Sequence, residues 1–395
     1  MWNRNVTTLW LAQLITAMGD AVYQLALIWL ILDLTGSSVI TGLVAMSAYL
    51  PAMLFGLLGG VFADKYNRLS IMHISNISQF LTVLAIPLTL FYGVADAVLI
   101  GVLAFVRSSF GTMFPPALNA FVPEVVGREH LMRVNSVIAT SSQLAYLIGP
   151  AIAGVLLGVM SVSELFLFDA VSFLGASFLL LFVVRDKVHQ NRETHATFKQ
   201  LMSGIKYIKK HRSIGYLILL TILNNIFIMG PAIVGMPIFV KTTLNGTASD
   251  FAFVEAGMAG GMLVGSWLVY RYAHKINNGK LLLLGLLWDG ITYAFFFWIP
   301  SVPLAIAMII LHGMGIPTIT ISRTAIIQRN TPNEYHGRLF SMVHLAVVGM
   351  TATSSALVGI FAAYMPVRTV FLVFGLGAVI TGLIGLRSKE LRTLN

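Results

Sequence analysis

The chain reads as an all-α polytopic membrane protein, with twelve transmembrane helices arranged as two six-helix pseudo-repeats. Three observations carry that expectation. Of its 395 residues, 57% are hydrophobic and only 10% charged, and the mean hydropathy is +0.86. A soluble domain carries about 25% charged residues, so this chain has too little polar surface to cover one large core. The apolar residues fall in long uninterrupted runs and do not alternate with period two, which favours helices over a membrane barrel. Finally, a shift of 205 positions relates the two halves of the sequence.

The runs are justified in order by length, since roughly 20 apolar residues cross a bilayer. The first, about 7–34, is too long for a cleaved leader and has no small-residue cleavage site. Along it Gln13, Thr16, Asp20, Tyr23 and Gln24 recur at helical spacing, so a polar stripe faces inward. The second and third, about 38–63 and 70–92, flank a charged turn, Asp64-Lys65-Tyr66-Asn67-Arg68. The fourth, about 96–119, carries Arg107 midway. The fifth, about 135–158, contains Gly149-Pro150-Ala151-Ile152-Ala153-Gly154, where the proline removes a helix hydrogen bond and the small residues permit close packing. The sixth, about 162–184, has Asp169 towards its outer end, where an interfacial position is expected.

A hydrophilic segment then divides the chain into an N-terminal bundle (1–184), a linker (185–212) and a C-terminal bundle (213–395). Within the linker Phe198, Leu201, Met202, Ile205 and Ile208 alternate with lysines, which predicts a basic amphipathic helix on the anionic inner membrane surface. The last six spans lie near 213–240, 248–273, 279–299, 301–325, 340–363 and 366–387. They bring Asn224 and Asn225, Glu255, Asp289 and His312 into the seventh, eighth, ninth and tenth spans respectively.

The formal net charge of +10 is a topology signal. With the N-terminus inside, only Lys241 and Arg368 fall on outer loops, while the other loop and terminal bases cluster on the inner side. Both termini are therefore expected in the cytoplasm, the protein in the cell (inner) membrane, and no nucleic-acid partner. The absence of cysteine excludes disulfides and thiolate metal sites. No Gly-x-x-x-x-Gly-Lys-[Ser/Thr] or His-Glu-x-x-His pattern occurs, so no ATPase, metal, cofactor or enzymatic activity is expected. The driving force is then an ion gradient or the substrate's own.

The 205-residue shift carries Gly60 to Gly265, Arg133 to Arg338, Ser136 to Ser341 and Gly154 to Gly359. Parallel repeats of this kind place a substrate site near the bilayer midplane. The same shift maps Asp20 to Asn225 and Arg107 to His312, whereas Asp64 maps to Val269, so only the first half keeps the acidic turn. Intramembrane charges are costly and mark functional sites by default. Asp20 and Arg107 are the leading candidates for proton coupling. At about 4 Å their attraction is of order 4 kcal/mol at an effective dielectric near 20, and protonating Asp20 removes it. Gln13, Tyr23, Gln24, Asn224, Asn225, Glu255, Asp289 and His312 are candidates to line a substrate cavity.

Three stretches carry a resemblance. Gly60 with Asp64-Lys65-Tyr66-Asn67-Arg68 resembles the loop signature G-x-x-x-D-[RK]-x-[GN]-R of the major facilitator superfamily. Arg107-Ser108-Ser109-Phe110-Gly111 is similar to its R-x-x-Q-G motif, with Phe110 in place of Gln. Gly149 to Gly154 resembles the G-P-x-x-G-G motif of drug/proton antiporters, with Ala153 for the first paired glycine. Gly19-Asp20, Trp29, Leu34-Thr35-Gly36-Ser37, Pro123-Glu124, Leu131 and Asn135-Ser136 are similar to the macrolide-efflux and enterobactin-exporter-like subgroup. The resemblance covers essentially the whole chain. It implies the major facilitator fold and a proton-coupling role for Arg107. It also implies a conformational switch at Gly60, Asp64, Lys65 and Arg68, whose acid contacts the eleventh span, and an antiporter motif at Gly149, Pro150 and Gly154. The implied function is secondary active export of a small amphiphilic compound (a drug, macrolide or siderophore-like molecule) by proton antiport and alternating access. The partners implied are substrate, protons and membrane lipids, with a monomer as the working form. A lipid or lysophospholipid flippase and a siderophore or nutrient importer are the alternatives.

Overall fold

The computed structural model describes residues 4–126, 130–183, 197–272 and 276–394, without the side chains of Leu57, Asp64, Tyr146 and 197–201. Among the described residues every regular element is helical, and twelve helical spans are long and apolar enough to cross a membrane. The helices fall into two compact units, one of Met1–Thr35 and Ser47–Thr197, the other of Gly36–Met46 and Phe198–Asn395.

The first unit is built from α1 (Arg4–Thr35), most of α2 (Ser38–Lys65), α3 (Arg68–Phe91), α4 (Ala97–Gly111), α5 (Phe114–Val125), α6 (Leu131–Leu156) and α7 (Val162–Leu180). The expected fourth span is thus two helices and runs on to Val125. The break at Thr112–Met113 follows from Pro115 and Pro116, which have no N–H to return to the carbonyls of α4 but suit the first turn of α5. Polar caps mark the ends. Asn67 accepts from the N–H of Leu69 and Ser70 at the start of α3, Asp96 from Leu99 at the start of α4, and Ser161 with Glu164 forms a capping box on α7. The core gathers Leu9, Met72, Phe121 and Leu180.

The second unit contains α8 (Thr197–Lys210), α9 (Arg212–Gly230), the short α10 (Met236–Ile238), α11 (Ala248–Tyr272), α12 (Asn278–Phe295), α13 (Val302–Asn330), α14 (Asn333–Tyr364), α15 (Val367–Arg387) and α16 (Lys389–Arg392). Two π-helical turns, Pro231–Gly235 and Phe239–Thr243, flank α10. Pro231 and Pro237 each withhold a donor there, and wider turns absorb the loss. α8 lies in the segment read as the linker, and Met202 of the expected apolar stripe is exposed on it. Its buried side is Gly204 and Tyr207, whose ring lies 4.2 Å from that of Tyr335 on α14. Lys206, Lys209 and Lys210 are exposed.

Outward faces in both units carry large apolar side chains, among them Leu81, Phe91, Val98, Trp267 and Ile384. That pattern suits lipid and would be a liability in water. Within the second unit α11 and α13 approach through glycine. A Cβ on Gly261 would stand 3.1 Å from the Gly313 Cα and would run into the Ile310 carbonyl. Small residues of this kind let spanning helices close to backbone contact. Gly261→Ala is therefore expected to force α11 and α13 apart and to destabilise the protein by about 1–3 kcal/mol. Thermal unfolding of the purified variant in detergent measures the loss, and an unchanged midpoint would exclude that contact as a determinant of stability.

Candidate functional site

The charged centre of the first unit is Arg107, held on α4 and buried at 9% exposure. Its Nη2 donates to Asp20 Oδ1 on α1 and lies 3.4 Å from Asp169 Oδ2 on α7. The guanidinium stands 3.8 Å above the Tyr23 ring and 5.4 Å from that of Phe173, a desolvated cation–π setting worth about 2 kcal/mol. Tyr23 in turn packs edge-on against Phe166 at 5.6 Å. Arg107 is thus fixed by two carboxylates and two rings from two helices, α1 and α7.

The two acids differ in access. The Asp169 side chain is wholly buried, whereas that of Asp20 is 41% exposed. Asp169 was expected at the interface and is found in the core. It lies seven residues beyond Val162 (169 − 162), about 10 Å along the axis of α7. It reaches Arg107 because Gly19 leaves room: a Cβ there would collide with the Asp169 carboxylate and the Ser172 hydroxyl, and would lie 3.1 Å from Ser172 Cβ. The sequence held one signal for this, a glycine beside Asp20 on the polar stripe.

Two carboxylates face one guanidinium, which stays protonated. With both acids ionised the cluster carries one surplus negative charge. An uncompensated charge away from water is strongly unfavourable. The surplus can be cancelled by a proton or by a cation at the exposed edge of Asp20.

The Gly149-Pro150 motif backs this site. Gly149 on α6 packs onto Ala21 of α1, one residue from Asp20, so closely that any Cβ at 149 would overlap the Ala21 methyl. Gly154 is buried further along α6. In the charged turn, Arg68 is buried and ties three elements together. Its Nε donates to the Ala63 carbonyl at 3.2 Å, and its Nη1 to the Ala120 carbonyl at 3.0 Å and to Glu124 Oε1. Glu124 was noticed in the sequence but not as the partner of Arg68. Lys65 is exposed beside the Tyr66 ring. A Cβ on Gly60 would meet nothing within 4 Å, while one on Gly59 would stand 2.9 Å from the Thr112 carbonyl at the α4–α5 break. The Asp64 side chain lies outside the described residues.

The remaining candidates are dispersed. Gln13 is partly buried, with an Oε1 that has no partner among the described residues, and Gln24 is exposed, accepting from Tyr49 Oη at 3.3 Å. In the second unit Asn225 donates to the Thr221 carbonyl of its own helix at 2.7 Å, and Glu255 is partly buried on α11. Asn224, Asp289 and His312 converge from α9, α12 and α13.

Twelve candidate spans in two helical units, one with a buried charge cluster, are features that suit a membrane transport protein. The chain belongs to the transmembrane secretion effector family of the major facilitator superfamily, whose model matches residues 2–394. It is 26% identical to the MFS-type transporter YfiS of Bacillus subtilis over 401 residues, 98% of this chain and 94% of the relative. It is 23% identical to macrolide efflux protein A of Streptococcus pyogenes, over 100% of this chain and 98% of that one. The fold superposes on the crystal structure of the nucleoside transporter NupG with a TM-score of 0.79 at 10% identity, covering 98% of each chain.

Arg107→Ala would strand the buried Asp169 carboxylate. A loss of about 3–5 kcal/mol is expected, the range for removing one partner of a buried pair. Adding Asp169→Asn should restore part of it, since the stranded charge is then gone. Thermal melts of the single and double variants test this. A double variant no more stable than Arg107→Ala would mean that Asp169 is not held by Arg107.

Proposed function

We propose that the chain is an exporter of small amphiphilic compounds, driven by proton antiport through alternating access. The observation that carries this is the surplus carboxylate at Arg107, with Asp20 the one member of the cluster open at its edge. A proton and a cationic or hydrogen-bonding substrate compete there for the same charge deficit. Binding one favours release of the other, which is the physical content of antiport. Asp169 is the fixed counter-charge that keeps Arg107 from satisfying Asp20 outright. Gly149, packed behind Asp20 on α6, positions α1, and the turn around Asp64 and Arg68 serves as the conformational switch.

The export direction rests on the antiporter motif and on the name of the streptococcal relative. One charge crossing 100 mV releases about 2.3 kcal/mol, enough for a modest concentration ratio. In this reading the protein works as a monomer in the inner membrane, with both termini in the cytoplasm.

The test uses proteoliposomes with an imposed pH gradient and a panel of macrolides, lipophilic cations, catecholate siderophores and lysolipids. Substrate-induced proton movement is expected in the wild type and is expected to vanish in Asp20→Asn, with insertion into the membrane unchanged. Labelled substrate that still moves down the gradient in Asp20→Asn would overturn the role of Asp20. Lipid translocation without any pH dependence would replace antiport with a flippase.

A further inference from the structure

The second unit holds an ionisable cluster that the antiport reading does not use. His312 Nδ1 on α13 lies 3.7 Å from Asp289 Oδ1 on α12. Asn224 on α9 donates Nδ2 to Asp289 Oδ2 at 3.2 Å. Thr292 Oγ1 is 2.9 Å from His312 Nδ1 and donates its own hydrogen to the Trp288 carbonyl at 2.7 Å. The hydroxyl oxygen is thus free to accept from His312 Nδ1 in the tautomer that carries a hydrogen there.

The three residues Asn224, Asp289 and His312 are 5%, 3% and 1% exposed. They are too enclosed to meet a bulky substrate directly. Yet two acceptors, Asp289 Oδ1 and Asn224 Oδ1, have no hydrogen-bond partner among the described residues. Of the two, Asp289 Oδ1 faces a basic ring, and it lacks a hydrogen. Unpaired acceptors and an isolated carboxylate are both costly in such a place.

Among the described residues the ion-pair partner of Asp289 is His312. The Tyr293 ring stands edge-on to His312 at 4.3 Å and is stacked at 5.6 Å on Phe371 of α15. α11 meets α13 beside His312 through Gly261 and Gly313. Glu255 is two residues before Gly257, whose neighbours are Ile306 and Ile309. Arg323 is eleven residues beyond His312 (323 − 312), about 16 Å along α13.

We propose that Asp289 and His312 form a proton-binding site within the second unit, which takes up and releases one proton. The step is an acid–base equilibrium: a proton joins the carboxylate–imidazole pair and is held as the carboxylic acid or as the imidazolium. Either form is net neutral, and no other bond is made or broken. His312 stands where the repeat places Arg107. A guanidinium keeps its charge, whereas an imidazole gives it up within the physiological range. The two units thus carry related clusters whose bases differ, one permanently charged and one not. The site holds whether or not the chain is an antiporter.

Infrared difference spectra of the purified protein in lipid, stepped between about pH 5 and pH 9, test this without any substrate. A carboxyl C=O change is expected that survives in Asp20→Asn and Asp169→Asn, disappears in Asp289→Asn and shifts in frequency in Asp289→Glu. His312→Asn should move its midpoint by at least about one pH unit, tenfold in proton affinity. If Asp289→Asn fails to fold, the Asp289→Glu and His312→Asn spectra decide alone. A spectrum indifferent to Asp289→Glu, or a midpoint unmoved by His312→Asn, would reduce the cluster to a fixed packing network.

Discussion

A cation in the middle of a spanning helix must find its counter-charge from neighbouring helices, because lipid supplies none. Arg107 sets that demand in the first unit, and much of the local architecture answers it. α1 brings Asp20 and the Tyr23 ring, and α7 brings Asp169 and Phe173. Gly19 is there because Asp169 cannot otherwise pass α1, and Gly149 lets α6 close on the same turn of α1 from another side. Two glycines that sequence motifs single out separately thus serve one pair of carboxylates. The arrangement leaves one acid wholly buried and the other half-open.

The spans were legible because hydrophobic length is a coarse property that no neighbour can override. Asp20 and Arg107 were legible because a charge inside such a run is rare. Asn67 was legible as part of a motif, and the structure gives it a physical job, capping α3. What stayed hidden depends on distances between elements. Asp169 is near the start of its run in sequence, but α7 begins at Val162 with a polar cap, so the residue is already deep. Arg68 and Glu124 are 56 residues apart, and nothing local says that α5 returns to the foot of α3. The break before α5 was written in Pro115-Pro116, yet a hydropathy run passes over it.

The repeat relation shows how far sequence symmetry carries. A shift of 205 places His312 opposite Arg107, and each proves to be the basic centre of a buried cluster. The same shift pairs Asp20 with Asn225, but the residue that reaches the second acid is Asn224, while Asn225 bonds its own helix. The acids do not correspond at all: Asp169 comes from α7 and Asp289 from α12. Backbone position is kept where charge partners are replaced, because a helix can offer a carboxylate to the same point from more than one direction.

That substitution changes what each cluster can do. Around Arg107 the guanidinium keeps its charge whatever the carboxylates do. Around His312 both partners can change state, and the pair can be neutral in either of two ways. The first arrangement holds a permanent positive group behind a half-open carboxylate. The second carries no permanent charge and is closed to ligands by its burial. A surplus acid at a half-open edge suits exchange with a solute, whereas a balanced, enclosed pair suits storage of a proton. The two chemistries follow from the change of base at equivalent places in the two repeats together with acids brought in from different helices.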